Sequence, residues 1–349
     1  MRAILAIDRE RMLDDRPALT AIARGLAEAG IQQTHVIAQS ATPSPPLLED
    51  VDVVQVPMPL RWTRRAAELD TAAQALSKSP VDVLFFSGDA ASRTARELAT
   101  RLEVPIACDV WRRDQVESAR RTPFVDTWIA RSEVLAGGLR DSLQHGTVIT
   151  ARPPIEAGSV ARLPDTRPSL VMLDPGGPRK HGAEMIEALA SVLSTRPDLE
   201  AFLELRGPRA ARLWKTADEL GILERVTVLE RVGMLAQLVG AATIVAAPDP
   251  DGPARSLLPT AMCGGAVVVA DAHVQDELLV SNETAILLEQ PASRPWSEAI
   301  SGLLSDPGTR QEISHAGALS ARAACRPDTA LAAWVTALTA AAQPTPHTL

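Results

Sequence analysis

LVMLDPGGPRKHGAEMIEALASVL, residues 170–193, contains one complete step of a parallel α/β architecture. Leu170–Leu173 is uninterruptedly apolar, which suits a strand covered on both faces. Asp174–Gly182 is a turn of proline, glycine and charge, and Ala183–Leu193 reads as a helix. Val81–Ser87 (VDVLFFS) and Ala91–Leu102 repeat the succession in the first half of the chain. Strands alternating with helices of this length imply right-handed crossovers and a parallel sheet.

Outward from these two steps the alternation covers almost the whole chain. Arg2–Ile7, Thr34–Ala38, Val51–Val56, Pro105–Val110 and Thr127–Ala130 read as strands of a first sheet. Helices are expected at Ala18–Ala29, opened by Pro17 and stopped by Gly30, and at Ser132–Gln144. Ala151–Pro168 then holds Pro153, Pro154, Pro164 and Pro168 with no sustained period, the mark of a linker. Beyond it, strands are expected at Ala201–Leu205, Val226–Leu229, Thr243–Ala247, Ala266–Ala270 and Ala285–Leu288. The intervening helices are Ala210–Leu220, Met234–Gly240, Ser256–Cys263 and Trp296–Leu304, with Pro327–Ala342 last. The expectation is an α/β chain of two doubly wound Rossmann-like domains. They occupy residues 1–150 and 169–326, joined by a linker over 151–168 and followed by a helix and tail over 327–349.

The 349 residues, 46% hydrophobic and 22% charged, suit two globular domains. A net charge of −8 argues against a nucleic-acid partner. Cys108, Cys263 and Cys325 are too scattered for a disulfide framework, and no Cys/His spacing suits zinc. MRAILAIDRER lacks the apolar core of a signal peptide, and no apolar run approaches the ~18 residues that span a bilayer, so a cytoplasmic protein is expected. Of 35 basic residues only Lys78, Lys180 and Lys215 are lysines, and tyrosine is absent. Arginine enrichment of this kind follows from a GC-rich coding sequence, so a lysine carries more information here than an arginine.

Ligands of doubly wound domains bind at the carboxyl ends of the strands. No G-x-G-x-x-G follows the first strand, and no G-x-x-x-x-G-K-[ST] occurs, which argues against dinucleotide oxidoreductases and P-loop NTPases. Two other loops have the chemistry to hold phosphate. In the Asp174–Gly182 loop, Gly176 and Gly177 permit close backbone approach, while Arg179, Lys180 and His181 supply charge ahead of a helix N-terminus. A solvated turn with incidental basic residues is the competing account. In the Pro248–Ser256 loop, Gly252, Arg255 and the helix-capping Ser256 can present donors to a second phosphate. Asp249 and Asp251 read as turn residues rather than as metal ligands.

These landmarks, in this order, resemble the retaining nucleotide-sugar glycosyltransferases of the GT-B fold, in particular the family 4-like group. The resemblance covers about Leu170–Ala323. PRKHG matches the basic glycine turn, and FLELRGPRAARLWKTADELGILERVTVL matches the strand, Gly-Pro turn and helix that follow. AMCGGAVVVADAHVQDELL and NETAILL match two later segments. The resemblance implies two facing domains with a crossover helix at the end. It also implies sugar transfer from a nucleotide-diphosphate donor with retention, and no metal or other cofactor. The donor would rest on Gly176, Gly177, Arg179, Lys180, His181, Arg255, Ser256 and Thr260.

The departures from the family are equally specific. Its two glutamates, separated by seven residues, fall on Gly252 and Thr260, which leaves Asp251 as the nearest candidate for a catalytic acid. Asp174 replaces the usual arginine, and DRERMLDDRP follows the first strand where the family has a Gly-Gly turn. Ile106–Trp111 lacks the family's histidine, and Asp109, Trp111 and Arg112 are the candidates for the acceptor side, with turn capping and core packing as the plainer account. None of the six histidines has an obvious general-base partner in the sequence. Arg61-Trp-Thr-Arg-Arg65 and its neighbouring arginines resemble surfaces that touch lipid headgroups or an anionic acceptor, against a merely solvated face. An enzyme is the first reading; a catalytically inactive binding or partner subunit is the alternative.

Overall fold

The computed structural model describes residues 1–38, 47–56, 65–156, 167–173, 182–205, 210–229, 235–249, 256–274, 276–289 and 292–343. The chain divides into two compact units, Met1–Pro154 with Arg326–Leu349, and Ile155–Cys325.

The first unit runs β1 (Arg2–Ile7), α1 (Arg9–Asp14), α2 (Arg16–Glu28), β2 (Gln32–Ala38), β3 (Asp52–Val56), α3 (Arg65–Leu76), β4 (Val83–Ser87) and α4 (Asp89–Leu102). It continues through β5 (Ile106–Val110), α5 (Arg113–Ala119), β6 (Thr127–Ala130), α6 (Glu133–Ser142) and β7 (Thr147–Thr150). Among the described residues these strands form one parallel sheet in the order β3-β2-β1-β4-β5-β6-β7. Alternate residues serve opposite faces. Ile4 and Ala6 join Leu84, Phe86 and Leu98 in one apolar cluster, while Ala3, Leu5 and Ile7 join Phe85, Leu19 and Leu26 in the other. The last helix, α13 (Pro327–Ala342), belongs to this second cluster. Its Trp334 meets Phe85 edge to face at 5.6 Å and donates Nε1–H to the Arg152 carbonyl at 3.0 Å.

The second unit runs β8 (Ser169–Met172), α7 (Gly182–Thr195), β9 (Glu200–Glu204), α8 (Ala210–Glu219), β10 (Val226–Leu229), α9 (Leu235–Ala241) and β11 (Ile244–Ala247). Then come α10 (Leu258–Gly264), β12 (Val267–Asp271), β13 (Ala285–Leu288), α11 (Ser293–Ser305) and α12 (Pro307–Ala324). Its sheet is again parallel, in the order β10-β9-β8-β11-β12-β13. Leu170 and Met172 pack with Met185, Leu189 and Trp296 on one face, and Val171 and Leu173 with Val239, Leu258 and Met262 on the other.

Among the described residues, sequence pattern misses α1, α3, α5, β7 and α12 as well as the short 3-10 turn Leu223–Arg225. The first is six residues of nearly continuous charge, made helical by Asp8, whose carboxylate accepts from Arg11 N at 2.8 Å. The longest, α12, starts at Pro307 behind the Asp306 cap, but its small residues, such as Ala316, Gly317, Ala318 and Ser320, blur the apolar stripe. None of the described helices is long and apolar enough to cross a membrane.

Candidate functional site

Where the strand order of an open parallel sheet reverses, the neighbouring strands diverge their crossovers and leave a crevice at the carboxyl edge. That reversal lies between β1 and β4 in the first sheet and between β8 and β11 in the second.

At the first reversal the polar groups bind one another. Asp109, at the end of β5 and fully buried, accepts Nε and Nη2 of Arg131 at 2.9 and 2.7 Å and the Ser87 hydroxyl at 2.9 Å. Arg131 also donates to Asp15 at 2.8 Å, and Arg11 reaches the same Asp15 oxygen at 2.7 Å. Arg11 Nε donates to Ser87 Oγ at 3.3 Å while its guanidinium lies 4.2 Å above the Trp111 ring. Gly88 is required beside this group: its φ is +100° and a Cβ would fall on the Asp8 carboxylate. Burial alone would raise the Asp109 pKa, but Arg131, Arg11 and the hydrogen bonds hold it below the ordinary carboxylate value. Against the desolvation that would lower it, Asp109 and Asp15 push the Arg131 pKa up.

This arrangement locates the acceptor-side candidates. Asp109 is closed off inside the ion-pair group. Trp111 is 5% exposed, with Arg11 on its ring and Arg112 5.4 Å from it, and its buried Nε1 has no hydrogen-bond partner among the described residues. Arg112 is half-buried and pairs with Asp89 at 2.6 Å and Asp114 at 3.0 Å.

At the second reversal the strands lead into the two phosphate-type loops. β8 and β11 pair in parallel through Leu170–Ile244 to Met172–Ala246, and Leu173 N donates to Ala246 O at 2.8 Å. The loop beginning at Asp174 therefore leaves the sheet beside the loop beginning at Pro248, and α7 starts at Gly182 directly after the first of them. Gly176, Gly177, Arg179, Lys180, His181, Asp251, Gly252 and Arg255 lie outside the described residues, as does the Arg61–Arg64 stretch. Ser256 is buried two residues ahead of α10, and Thr260 is half-buried on α10 itself.

One pair at this edge escapes sequence reading. Asp271 ends β12, next to β11, and its Oδ1 accepts His273 N at 2.7 Å and lies 2.6 Å from His273 Nδ1. The carboxylate places the ring proton on Nδ1 and leaves Nε2 as the acceptor of the neutral imidazole. No such partner is obvious in the sequence; the fold supplies a carboxylate for His273. The signal is Asp-x-His at a strand end, a local Asx turn rather than a distant pairing. Among the described residues no group of three or more His, Cys, Asp or Glu side chains could hold a metal ion.

Known proteins confirm the architecture. Residues 159–319, almost all of the second unit, match the family model described as Glycosyl transferases group 1. Anabaena HepE, solved with UDP and glucose, superposes with a TM-score of 0.75 at 15% identity, over 97% of this chain and 100% of that one. The fold is GT-B. Sucrose-phosphate synthase of Thermosynechococcus elongatus shares this GT-B architecture with a TM-score of 0.71 at 15% identity, over 95% and 97% of the two chains. So does a protein named as a UDP-N-acetylglucosamine 2-epimerase from Listeria monocytogenes, with a TM-score of 0.69 at 13% identity over 99% of both chains. No curated protein matches by sequence.

Proposed function

We propose that this GT-B protein transfers a sugar from a nucleoside diphosphate sugar held on its second unit to an acceptor met by the first. The observation that carries the reading is topological. The two loops whose composition suits phosphate leave β8 and β11, the strands that flank the reversal of the second sheet. The match of residues 159–319 to group 1 glycosyl transferases, and the UDP and UDP-glucose bound by HepE, support a uridine nucleotide as the first donor to try.

In this reading Gly176, Gly177 and the α7 N-terminus accommodate the diphosphate, while Arg179, Lys180, His181 and Arg255 offset the charge that grows on it as the glycosidic bond breaks. Ser256 and Thr260 hydrogen-bond the nucleotide side, and Asp251 is the carboxylate at the transferred sugar. Transfer proceeds with retention, without a metal ion, in the cytoplasm. Asp109 positions Arg11 and Arg131, and Trp111 and Arg112 serve the acceptor side in the same reading. Peripheral contact with a membrane through the Arg61–Arg65 face belongs to the same proposal.

A second reading rests on Thr260 and Gly252, which stand where the family carries its glutamates: a protein that binds but does not catalyse. Incubating the full chain with UDP-glucose and a panel of sugar and lipid acceptors, with products followed by proton NMR, separates the two. A new glycoside with the donor's anomeric configuration is the expected result. An inverted product would overturn retention, an epimerised donor would overturn transfer, and unchanged donor that still binds would favour the partner subunit.

A further inference from the structure

The three cysteines have unlike surroundings. Cys108 sits inside β5, where burial and the carboxylates of Asp109 and Asp89 push its thiol pKa well up. Cys263, on α10, and Cys325, the C-terminal cap of α12, belong to one apolar cluster of the second unit, and their thiols share a hydrogen bond. Two further contacts, both from residues preceding Cys325 on α12, pin the helices together. Ser314 Oγ donates to Gly265 O at 2.6 Å, and Arg322 donates Nε and Nη2 to Cys263 O at 2.9 and 2.7 Å. The hydrogen bond from Cys325 outweighs burial and, with the Arg322 charge, brings the Cys263 thiol below its ordinary pKa.

The position of the pair in the chain is also distinctive. The backbone passes from the first unit to the second between Pro154 and Ile155 and returns between Cys325 and Arg326. Ile155 N donates to the Cys325 carbonyl at 3.0 Å, so the outgoing and returning segments are held together at this cysteine. Small buried thiols ordinarily serve as inert packing. This pair differs in having a second sulfur in contact, a guanidinium beside it, and a place at the return crossing.

We propose that Cys263 and Cys325 form a redox-modifiable pair, converted by a peroxide into a disulfide that ties α10 to the segment where the chain leaves the second unit. The Cys263 thiolate attacks one peroxide oxygen; the O–O bond breaks and hydroxide leaves, taking up a proton as water. Cys325 then attacks the resulting sulfenic sulfur, the S–S bond forms, and the S–O bond breaks with loss of a second water. Two thiols and one hydrogen peroxide thus give one disulfide and two waters. Bond formation asks the sulfurs to close from hydrogen-bond contact to about 2.05 Å.

The test is to treat the folded, reduced full chain with hydrogen peroxide, alkylate it under denaturant, and map peptides by mass. The expected product is a Cys263–Cys325 cross-linked peptide with Cys108 alkylated, reversed by dithiothreitol. Oxidation should raise the thermal midpoint of the native chain and leave that of Cys263→Ser and Cys325→Ser unchanged. Recovery of all three cysteines as alkylated thiols would overturn the proposal. So would sulfinic acid without a cross-link, or a cross-link to Cys108. Because the mapping is done on the native sequence, it stands even where a serine variant fails to fold.

Discussion

At the reversal of the first sheet, Asp8, Arg11, Ser87, Asp109 and Arg131 are drawn from four strand ends and joined to one another. At the reversal of the second, the strand ends lead into Asp174–Gly182 and Pro248–Ser256, with the Asp271–His273 pair alongside. One strand order thus supports two uses of the same edge. The first is a closed ionic group that fixes the local backbone; the second leads into loops whose composition, in the proposed function, suits a phosphate ligand. Topology identifies where a ligand can sit, and the state of the polar groups decides whether one does.

The sharpest way to break this contrast is Asp109→Ala. Removing the carboxylate leaves the buried Arg131 and Arg11 with Asp15 in place of two carboxylates, and a loss of about 3–5 kcal/mol in unfolding free energy is expected. Urea denaturation checks it, with diphosphate binding by the remaining folded protein unchanged. Unaltered stability with lost transfer would show instead that Asp109 faces substrate.

A second difference between the units is expected in their response to acid. His35, on β2 and 1% exposed, has its pKa lowered to about 4 by burial, from 6.5. Between those values the unfolded chain binds the additional proton, so stability rises with pH through that window. The contribution is complete above pH 6.5, declines as pH falls towards 4, and amounts to about 3 kcal/mol in all. Hydrogen exchange from pH 7 to 4.5 should show the first unit loosening before the second, and His35→Gln should flatten the first unit's profile. Equal loosening of both units would contradict the assignment.

The smallest expected effect is at the second edge. Asp271→Asn removes the carboxylate that orients His273, and a few-fold fall in transfer rate is expected, with nucleotide affinity retained. Nitrogen NMR of the imidazole gives an independent readout, since the Nδ1–H tautomer should lose its dominance. A variant with unchanged tautomer and rate would reduce the pair to an Asx turn.

How far the sequence was legible follows from the same physics. Strands buried on both faces, such as Val83–Ser87 and Val267–Asp271, announce themselves by continuous apolar runs, and the basic loops stand out against an arginine-rich background through Lys180. The ionic group does not, because Asp15 and Arg131 are 116 residues apart and only the sheet order brings them together. α1 is hidden for a related reason: its charges read as a solvated loop until Arg11 is seen to have buried partners. His273 was within reach, two residues from its carboxylate, but pairing over so short a span resembles turn chemistry.

The central claim is that the second edge holds a nucleoside diphosphate. Calorimetric titration of the full chain with UDP, GDP, ADP and dTDP, repeated on the Lys180→Ala, Arg255→Ala double variant, tests it most directly. One diphosphate should bind with micromolar affinity, and the double variant should weaken it by roughly 10- to 100-fold at unchanged stability, as expected for the loss of charge-assisted hydrogen bonds. Absence of binding by all four diphosphates to folded protein, or equal binding by the variant, would contradict the account.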